Sequence, residues 1–469
     1  MKIETEYRNG YQNEDRKVAP TEDRQFESPV MPESALATTP ATSVVSLRTI
    51  CACRGVRALA WDGEVLYAGF GYNLIRWRAR ANERRRRVDV RWESVASFNP
   101  GWWRNLTSRA RLSSRLVRDG FHALAILRDP SEPRPEDQRT DDQRTKDQQP
   151  ANQPLENRNN KAQRTLIAAV PGAIVTRVPG SDEFRVTHEI RRGTRPLHIT
   201  AVPDGTVYWG EYFDNRERAE VHIFASADRG ESWQIAYTFP ARAIRHIHNI
   251  VYDRWGGCLW ILTGDDGHEC KVLRASCDLR SVEIVLSGNQ QARAVAAIPM
   301  PDALYLATDT PFEANHVLRL RRDGRVDEIA PLASSSIFGC RVREAMFFST
   351  MVEPSAVNAR DEVHLVGSAN AGSADQSNWQ VLARWTKDKW PMRYFQYGNA
   401  MLPDGENLTN YLAATAVAVE QDDQVTTLWQ VGREVSREVS GATNRVVTRE
   451  ASSGFENRPQ APKQRPFPA

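Results

Sequence analysis

The sequence is poor in cysteine, in long apolar runs and in net charge, and each shortage excludes a class of protein. Six cysteines in 469 residues form no C-x-x-C pair and are too sparse for a disulfide framework, which favours a reducing compartment. No window approaches the roughly 18 to 20 consecutive apolar residues of a membrane helix, and the start, MKIETEYRNG, lacks the apolar segment of a secretory signal. We therefore expect a soluble, cytoplasmic protein.

The charge is nearly balanced, with 62 Lys and Arg against 59 Asp and Glu, which leaves +3. So small a surplus gives no reason to expect nucleic acid or a membrane surface as the partner of the whole chain. The sequence also lacks a Walker loop, a nucleophile elbow, an H-E-x-x-H motif and a dinucleotide fingerprint. Any chemistry must therefore come from a local group of side chains.

Three segments are too polar to build a core, at about 1–46, 131–164 and 434–469. They are rich in Pro, Gln, Asn, Arg, Glu and Ser, a composition typical of disordered chain. The middle segment has Leu155 as its only large apolar residue, which suits a solvated insertion between two strands. The sequence thus predicts one folded domain at 47–433 with a disordered insertion at 131–164, between disordered tails at 1–46 and 434–469.

The rest of the sequence repeats a unit of two apolar runs joined by a turn of Asp, Gly or Pro. Runs such as ALAWDGEVLYAGF and HNIVYDRWGGCLWILTGDD are typical of β-hairpins. Third strands are predicted around Ile174, Ile223, Val272 and Val317, at spacings of 49, 49 and 45 residues. Units of this length with four short strands are typical of propeller blades. We therefore predict an all-β propeller, with seven blades favoured and six possible, in which the run 43–50 enters the last blade and closes the ring.

One eight-residue motif is specific. Ser226 to Trp233 reads S-x-D-x-G-x-x-W between two predicted strands, and it resembles the Asp-box, or BNR repeat, of sialidase-type propellers. Asp228 can accept hydrogen bonds from turn amides, Gly230 can take a positive φ, and Trp233 can pack between sheets, so the expected role is structural. The chain from about 190 to 320 is also similar to uncharacterised bacterial BNR-repeat proteins, a resemblance that brings no established activity.

Propeller topology predicts which edge of the blades carries function. First strands begin and second strands end at one edge, here called the mouth, and the Asp-box turn lies at the opposite edge. Arginines open five predicted first strands, at Arg57, Arg195, Arg245, Arg293 and Arg343. Carboxylates and an amide end second strands, at Glu211, Asp265, Asp266, Asp309 and Asn370. Such a ring can clamp carboxylate, sulfate or phosphate groups, or it can consist of structural ion pairs between blades.

The densest group of polar residues is predicted in the fourth blade. His246 and His248 are separated by one residue and face the same side of a strand, while Asp265 ends the adjacent strand. These three side chains can bind a divalent metal, serve as acid and hydrogen-bond donor to a sugar, or form a buried hydrogen-bond network. Spacing alone does not choose among the three, and no other cofactor is expected.

Glycosidase chemistry requires two carboxyl groups about 5 to 9.5 Å apart, whereas sialidases use a tyrosine with an acid partner. The candidates for catalysis are His246, His248, Asp265, Asp309, Glu211 and Tyr212, and hydrolase-like or lyase-like activity stays open. The sequence lacks the Arg-Ile-Pro motif that sialidases have near their start. The most similar tripeptide is ThrArgPro at 194–196, and this departure argues against sialidase activity itself.

We interpret the chain as a propeller that binds, and can process, an anionic carbohydrate at its mouth. The alternative is a non-enzymatic scaffold that binds another protein there.

Overall fold

The fold is taken from a computed structural model that describes residues 42–79, 88–128, 164–358, 361–369 and 378–436. Seven sheets form in this part of the chain, each with four antiparallel strands, and one of them gains a fifth strand that pairs in parallel. The prediction of an all-β propeller with seven blades is confirmed, and the six-blade alternative is wrong. Of the segments expected to be disordered, 1–46, 131–164 and 434–469, residues 42–46 and 434–436 lie in strands, so those ends of the prediction are wrong. The parts at 1–41, 131–163 and 437–469 lie outside the described residues. Among the described residues, no helix is long and apolar enough to span a membrane.

The chain enters at β1 (Thr42–Arg54), the outer strand of blade seven, and then builds the first four blades in order. Blade one consists of β2 (Val56–Gly63), β3 (Val65–Phe70), β4 (Asn73–Arg78) and β5 (Glu93–Ser97). Two helices, α1 (Trp102–Arg109) and α2 (Arg111–Val117), connect it to blade two, which consists of β6 (Ala123–Leu127), β7 (Thr165–Val170), β8 (Ala173–Arg177) and β9 (Arg185–Glu189). Blade three consists of β10 (Thr200–Ala201), β11 (Val207–Gly210), β12 (Val221–Ser226) and β13 (Gln234–Phe239). Blade four consists of β14 (His246–Asp253), β15 (Cys258–Gly264), β16 (Lys271–Ser276) and β17 (Val282–Ser287).

The remaining blades complete the ring. Blade five consists of β18 (Ala294–Pro299), β19 (Ala303–Thr308), β20 (Asn315–Arg321) and β21 (Val326–Leu332). Blade six consists of β22 (Ser336–Val342), β23 (Ala345–Thr350), β24 (Glu362–Ser368) and β25 (Trp379–Thr386), and the short helix α3 (Met392–Phe395) follows it. Blade seven consists of β26 (Asn399–Met401), β28 (Tyr411–Val417), β29 (Val425–Ser436) and β1, while β27 (Asp404–Asn407) pairs in parallel with β2 of blade one.

Two strand pairings therefore close the ring. Strand β1 pairs with β29 from Thr42↔Ser436 to Arg54↔Val425, as the run 43–50 predicted, although the strand begins five residues earlier than the expected domain. Strand β27 pairs with β2 from Ala60↔Asp404 onwards. Closure matters because a strand edge left open exposes unpaired backbone donors and acceptors.

The core lies between the faces of neighbouring blades. Second strands are buried on both faces, as in β15 (CLWILTG) and β19 (ALYLAT), where every residue is buried. This explains why these strands read as continuous apolar runs rather than alternating ones. Each fully buried Leu, Ile or Phe contributes about 1.5–3 kcal/mol of transfer free energy, so stacking the blades provides the main stabilisation. First strands of successive blades contact one another around the axis.

The sequence reading was wrong by one strand in blade six. The predicted first strand that Arg343 opens is the run AMFFST. In the structure this run is the second strand β23, and the first strand is β22 (SIFGCRV). Strand β22 escaped notice because five of its seven residues are only half-buried and Gly339 lies against Phe348, where a Cβ would be 2.6 Å from the ring. Arg343 consequently lies in the β22–β23 turn at the edge opposite the mouth, exposed, and does not open a first strand.

Candidate functional site

Strands β14 and β15 build the mouth edge of blade four. His246 at the start of β14 pairs with Gly264 at the end of β15, so Asp265 follows at the same edge. In blade five the backbone N–H of Asp309 donates to the carbonyl of Arg293 at 3.0 Å, which fixes those two residues at the mouth as well. Topology alone thus brings together residues that are up to 63 positions apart in the sequence, from 246 to 309.

A β-bulge in β14 shapes the histidine pair. The register steps from Ile247↔Thr263 to Asn249↔Leu262, so His248 is the extra residue that has no partner across the ladder. Bulges re-aim a side chain and recur next to functional sites. His246 and His248 are both nearly buried, with 5% and 3% of their surfaces exposed.

The tautomers of both imidazoles are set by backbone carbonyls. Nδ1 of His246 lies 3.0 Å from the carbonyl oxygen of Phe213, and Nδ1 of His248 lies 3.0 Å from that of Ala294. A carbonyl oxygen only accepts, so each Nδ1 carries the proton and donates it. The two Nε2 atoms face each other at 3.1 Å. Burial lowers the pKa of His248, which keeps this ring neutral at neutral pH.

Asp265 is the shared acceptor of the cluster. Its Oδ1 lies 3.3 Å from Nε2 of His248 and 3.4 Å from Nη2 of Arg293, and its Oδ2 lies 3.1 Å from Nη1 of Arg245 and 3.4 Å from Nε2 of His246. Burial alone would raise the pKa of Asp265, but hydrogen bonding to the two imidazole Nε2 atoms, which requires a proton or another cation between them and the carboxylate, holds the pKa far below the ordinary range. The carboxylate is therefore ionised and pairs with both arginines, while Asp214 also pairs with Arg245 at 2.8 Å. At Arg245 and Arg293 the structure has ion pairs rather than free anion-binding groups.

Asp309 is the second carboxyl group of this sector. Its Oδ2 lies 3.4 Å from Nη2 of Arg293, and only 5% of the residue is exposed. Burial, followed by the negative charges of Glu353 and Asp265, raises the pKa of Asp309 to about 7. An ionised carboxylate and a carboxyl group with a pKa near neutrality thus share one guanidinium, an arrangement that can supply an acid and a base.

The other two predicted catalytic residues have different surroundings. Glu211 is 5% exposed, binds Arg192 through both carboxylate oxygens and accepts the backbone N–H of His222 at 2.8 Å, which is a structural arrangement. The Tyr212 ring packs against His246 at an interplanar angle of 43°, with 4.3 Å between centroids. Burial, with the nearby carboxylates, raises the pKa of Tyr212 to about 12, and its hydroxyl has no hydrogen-bond partner among the described residues. Tyr212 can therefore donate a hydrogen bond to a ligand.

Blades one to three place a group of cations at the mouth, here called the arginine cluster, which consists of Arg57, Arg118 and Arg195 around His122. Nη1 of Arg57 donates to Nδ1 of His122 at 2.8 Å, and Nε2 of His122 donates to the carbonyl oxygen of Arg118 at 2.6 Å. The imidazole is thereby held neutral, and burial followed by the charges of the three arginines lowers its pKa well below the ordinary value.

No carboxylate of the described chain lies within 4.0 Å of the arginine cluster. Arg195 contacts only the hydroxyl of Thr194, at 3.4 Å. Burial, then the charge of Arg195, lowers the pKa of Arg57 to about 9, and burial, then the charge of Arg118, lowers that of Arg195 to about 10. These guanidinium groups remain charged at neutral pH without a counterion. The mouth is thus divided into an arginine sector and a carboxylate–histidine sector, with Tyr212 near both.

Sequence reasoning located this cluster only in part. Arg57 and Arg195 were predicted at the mouth, Arg343 was misplaced by the blade-six error, and Asn370 lies outside the described residues. Arg118 and His122 were missed. A pattern in the sequence could have located both residues. The segment RDGFH comes directly before β6, and its arginine precedes that first strand as other arginines precede other first strands.

The turn at 226–233 lies at the edge opposite the mouth. Asp228 Oδ1 accepts the backbone N–H groups of Glu231 and Ser232 at 3.1 and 2.9 Å, and Ser226 Oγ accepts that of Gly230 at 2.7 Å. Gly230 has φ 86°, and a Cβ there would lie 2.5 Å from Cδ1 of Ile167. Trp233 packs edge-on against Trp209 at 6.3 Å between centroids and donates its indole N–H to Thr187. These contacts are those of a turn that holds blades two and three together.

Comparison with known proteins yields fold neighbours only. No family model and no curated protein sequence matches the chain. Among solved structures, a GH74 xyloglucanase from Xanthomonas campestris is 13% identical with a TM-score of 0.43, and the match covers 72% of this chain and 47% of that one. The WD40 propeller domain of Doa1 is 8% identical with a TM-score of 0.45, over 84% of this chain and 98% of that one. A puromycin hydrolase is 14% identical with a TM-score of 0.46, over 78% and 50%. Likeness at this level assigns no activity.

Proposed function

We propose that this protein binds an anionic carbohydrate at its mouth, with the arginine cluster holding the acidic group. The observation that carries the proposal is that Arg57 and Arg195 are half-buried at the mouth without a carboxylate partner in the described chain. A buried charge is costly unless it is paired, so these groups gain most from an anion supplied by a ligand. Guanidinium groups bind carboxylate and sulfate through paired hydrogen bonds.

The helical connection between blades one and two positions this cluster. Arg118 has φ 55° and ends α2, which is fastened to blade seven by Arg115. The Arg115 side chain is fully buried, and its Nη1 lies 2.5 Å from Asp388 and 3.2 Å from Asp423. A cation held by a rigid element loses little freedom when the ligand binds, which favours affinity.

Aromatic side chains on the mouth-side connections favour a sugar over a small inorganic anion. Trp102 and Trp103 of α1 are 77% and 60% exposed, and Phe312, between β19 and β20, is 65% exposed. Exposed rings beside a charged site are typical of recognition surfaces, and they can cover the apolar faces of sugar rings. With the free hydroxyl of Tyr212, the mouth offers cations, rings and a hydrogen-bond donor, which suits a uronate or sulfated oligosaccharide.

Two further features support parts of the same proposal. The side chains of Ser226 and Asp228 make hydrogen bonds within the turn, as expected if this chain is related to BNR-repeat propellers. All six cysteines are free thiols, which supports a reducing, cytoplasmic compartment.

The test is binding by the full-length protein to matched neutral, uronate-containing and sulfated oligosaccharides, measured by isothermal titration calorimetry. Arg195→Gln and Arg57→Gln should each weaken binding of the acidic glycans roughly tenfold to a hundredfold, because a hydrogen bond to a charged group contributes about 1.5–3 kcal/mol. Arg343→Gln is the matched control, since Arg343 is exposed at the opposite edge. Equal binding of neutral and acidic glycans, or equal losses in the control, would refute the assignment.

A second candidate function is cleavage of the bound glycan. The observation that favours it is the difference in pKa between two neighbouring carboxyl groups: Asp265 is ionised, whereas the pKa of Asp309 is raised to about 7. Asp309→Asn should then abolish release of reducing ends while glycan binding persists. If neither binding nor cleavage is found and the mouth variants lose a protein partner instead, the non-enzymatic scaffold is correct.

A further inference from the structure

We propose that His246, His248 and Asp265 form a binding site for a divalent transition-metal ion, with zinc preferred. The site lies in the carboxylate–histidine sector and uses no residue of the arginine cluster, so it does not depend on the anion-binding proposal. The three ligand atoms lie within 4.8 Å of one another.

The positions of the imidazole protons on His246 and His248 favour a positive charge between the two rings. Because each Nδ1 donates to a backbone carbonyl, each neutral ring directs an Nε2 lone pair inwards, and the two Nε2 atoms are only 3.1 Å apart. The carboxylate of Asp265 adds a third electron donor at 3.3 and 3.4 Å. Three electron donors repel one another unless a proton or a metal ion lies between them.

The distances fit a metal ion. Two zinc–ligand bonds of about 2.0–2.1 Å at a tetrahedral angle place their donor atoms about 3.3–3.4 Å apart, and a right angle places them about 2.9 Å apart. The two Nε2 atoms are 3.1 Å apart, and each lies 3.3 or 3.4 Å from a different oxygen of Asp265, so the separations fall in this range when the carboxylate binds the ion through both oxygens. Two nitrogens and one oxygen suit zinc or iron(II), whereas magnesium and calcium prefer oxygen ligands alone.

The surroundings resemble the supporting shell of a metal site. Metal-binding histidines characteristically donate their second ring nitrogen to a backbone carbonyl or a carboxylate, as both rings do here. Asp265 is itself oriented by Arg245 and Arg293. Counting Asp214, which binds Arg245 at 2.8 Å, three carboxyl groups face two guanidinium groups, so the sector does not carry the excess positive charge that would oppose a cation. The Asp265 side chain is 17% exposed, which leaves a path from solvent.

The experiment uses the metal-stripped full-length protein titrated with Zn²⁺, and with Co²⁺ to report coordination through its visible absorption. We expect one ion per chain. His248→Ala and Asp265→Asn should each weaken Zn²⁺ binding by at least about 100-fold, because loss of a supporting residue alone typically costs 10–100-fold. His268→Gln is the matched control, since His268 is exposed three residues beyond Asp265 and outside the cluster, and it should bind as the parent does.

Asp265→Asn keeps the shape of the side chain and guards against a folding artefact, and circular dichroism of the metal-free variants checks the fold. Stoichiometry far below one, or equal affinity in parent, His248→Ala and Asp265→Asn, would overturn the proposal and leave a proton shared by the two rings as the occupant. Glycan binding by Arg195→Gln is measured separately, so failure of the metal site and failure of the anion site give different results.

Discussion

Replacing Arg195 by glutamine should stabilise the ligand-free protein while it weakens ligand binding. Burial and the charge of Arg118 lower the pKa of Arg195 from the ordinary value of arginine to about 10. At 1.36 kcal/mol per pKa unit, holding this cation without a counterion costs about 3 kcal/mol in the folded state. Glutamine removes that cost but also some packing of the arginine stem, so we expect a net gain of about 1–2 kcal/mol.

The assay is thermal unfolding in matched chloride and sulfate buffers of equal ionic strength. A gain of about 1–2 kcal/mol should raise the melting temperature of Arg195→Gln by roughly 2–4 °C in chloride. In sulfate, the parent protein should gain stability by mass action and Arg195→Gln should gain much less, because the bound anion stabilises only a site that can hold it. Arg343→Gln should follow the parent in both buffers.

The reasoning is refuted if Arg195→Gln loses several degrees in chloride, since the guanidinium would then have a stabilising partner. It is equally refuted if parent and Arg195→Gln respond identically to sulfate. A stabilising substitution that weakens binding is otherwise the expected signature of a charge kept for function, because sites built to bind a ligand are often strained without it.

Three other perturbations test separate parts of the structure. Asp309→Asn should become progressively more stable than the parent from about pH 4 to pH 7 in thermal melts, because the unfolded parent chain releases the Asp309 proton near pH 4 whereas the folded parent holds it until about pH 7; a constant difference would contradict the raised pKa. Gly230→Ala should cost about 2–4 kcal/mol in denaturant unfolding, since it places a Cβ at φ 86° and 2.5 Å from Ile167, and no loss would contradict the Asp-box geometry. Arg115→Met should cost about 1.5–3 kcal/mol, because it removes the buried cation that Asp388 and Asp423 share and leaves them with Lys387 and Arg111 as partners, and it should expose α1 and α2 to limited proteolysis; unchanged cleavage there would show that other contacts hold the helices.

The sequence predicted blade count and mouth residues because both follow from local pattern and topology. Regular spacing of apolar pairs reveals repeats, and the rule that first strands begin where second strands end brings His246 and Asp265 to one edge. The same rule failed at Arg343, because the half-buried β22 does not show the apolar run on which strand recognition depends. A single missed strand moves every later assignment in a blade to the wrong edge.

Whether an arginine is paired or free could not be read from sequence. Arg245 and Arg195 occupy equivalent positions before first strands, yet Arg245 binds Asp214 and Asp265, whereas Arg195 has no carboxylate within 4.0 Å in the described chain. The difference depends on side chains from neighbouring blades. Arg118 precedes β6 much as the other arginines precede first strands, but its position in the cluster also depends on the docking of α2 on blade seven, which no repeat in the sequence reveals.

The most direct test of the central claim is a crystal structure with selenate, whose anomalous scattering locates a sulfate-like anion without ambiguity. The account predicts selenate within about 2.7–3.2 Å of the guanidinium groups of Arg57 and Arg195. Selenate bound only at Arg245 and Arg293, or absent from the arginine cluster at saturating concentration, would contradict it.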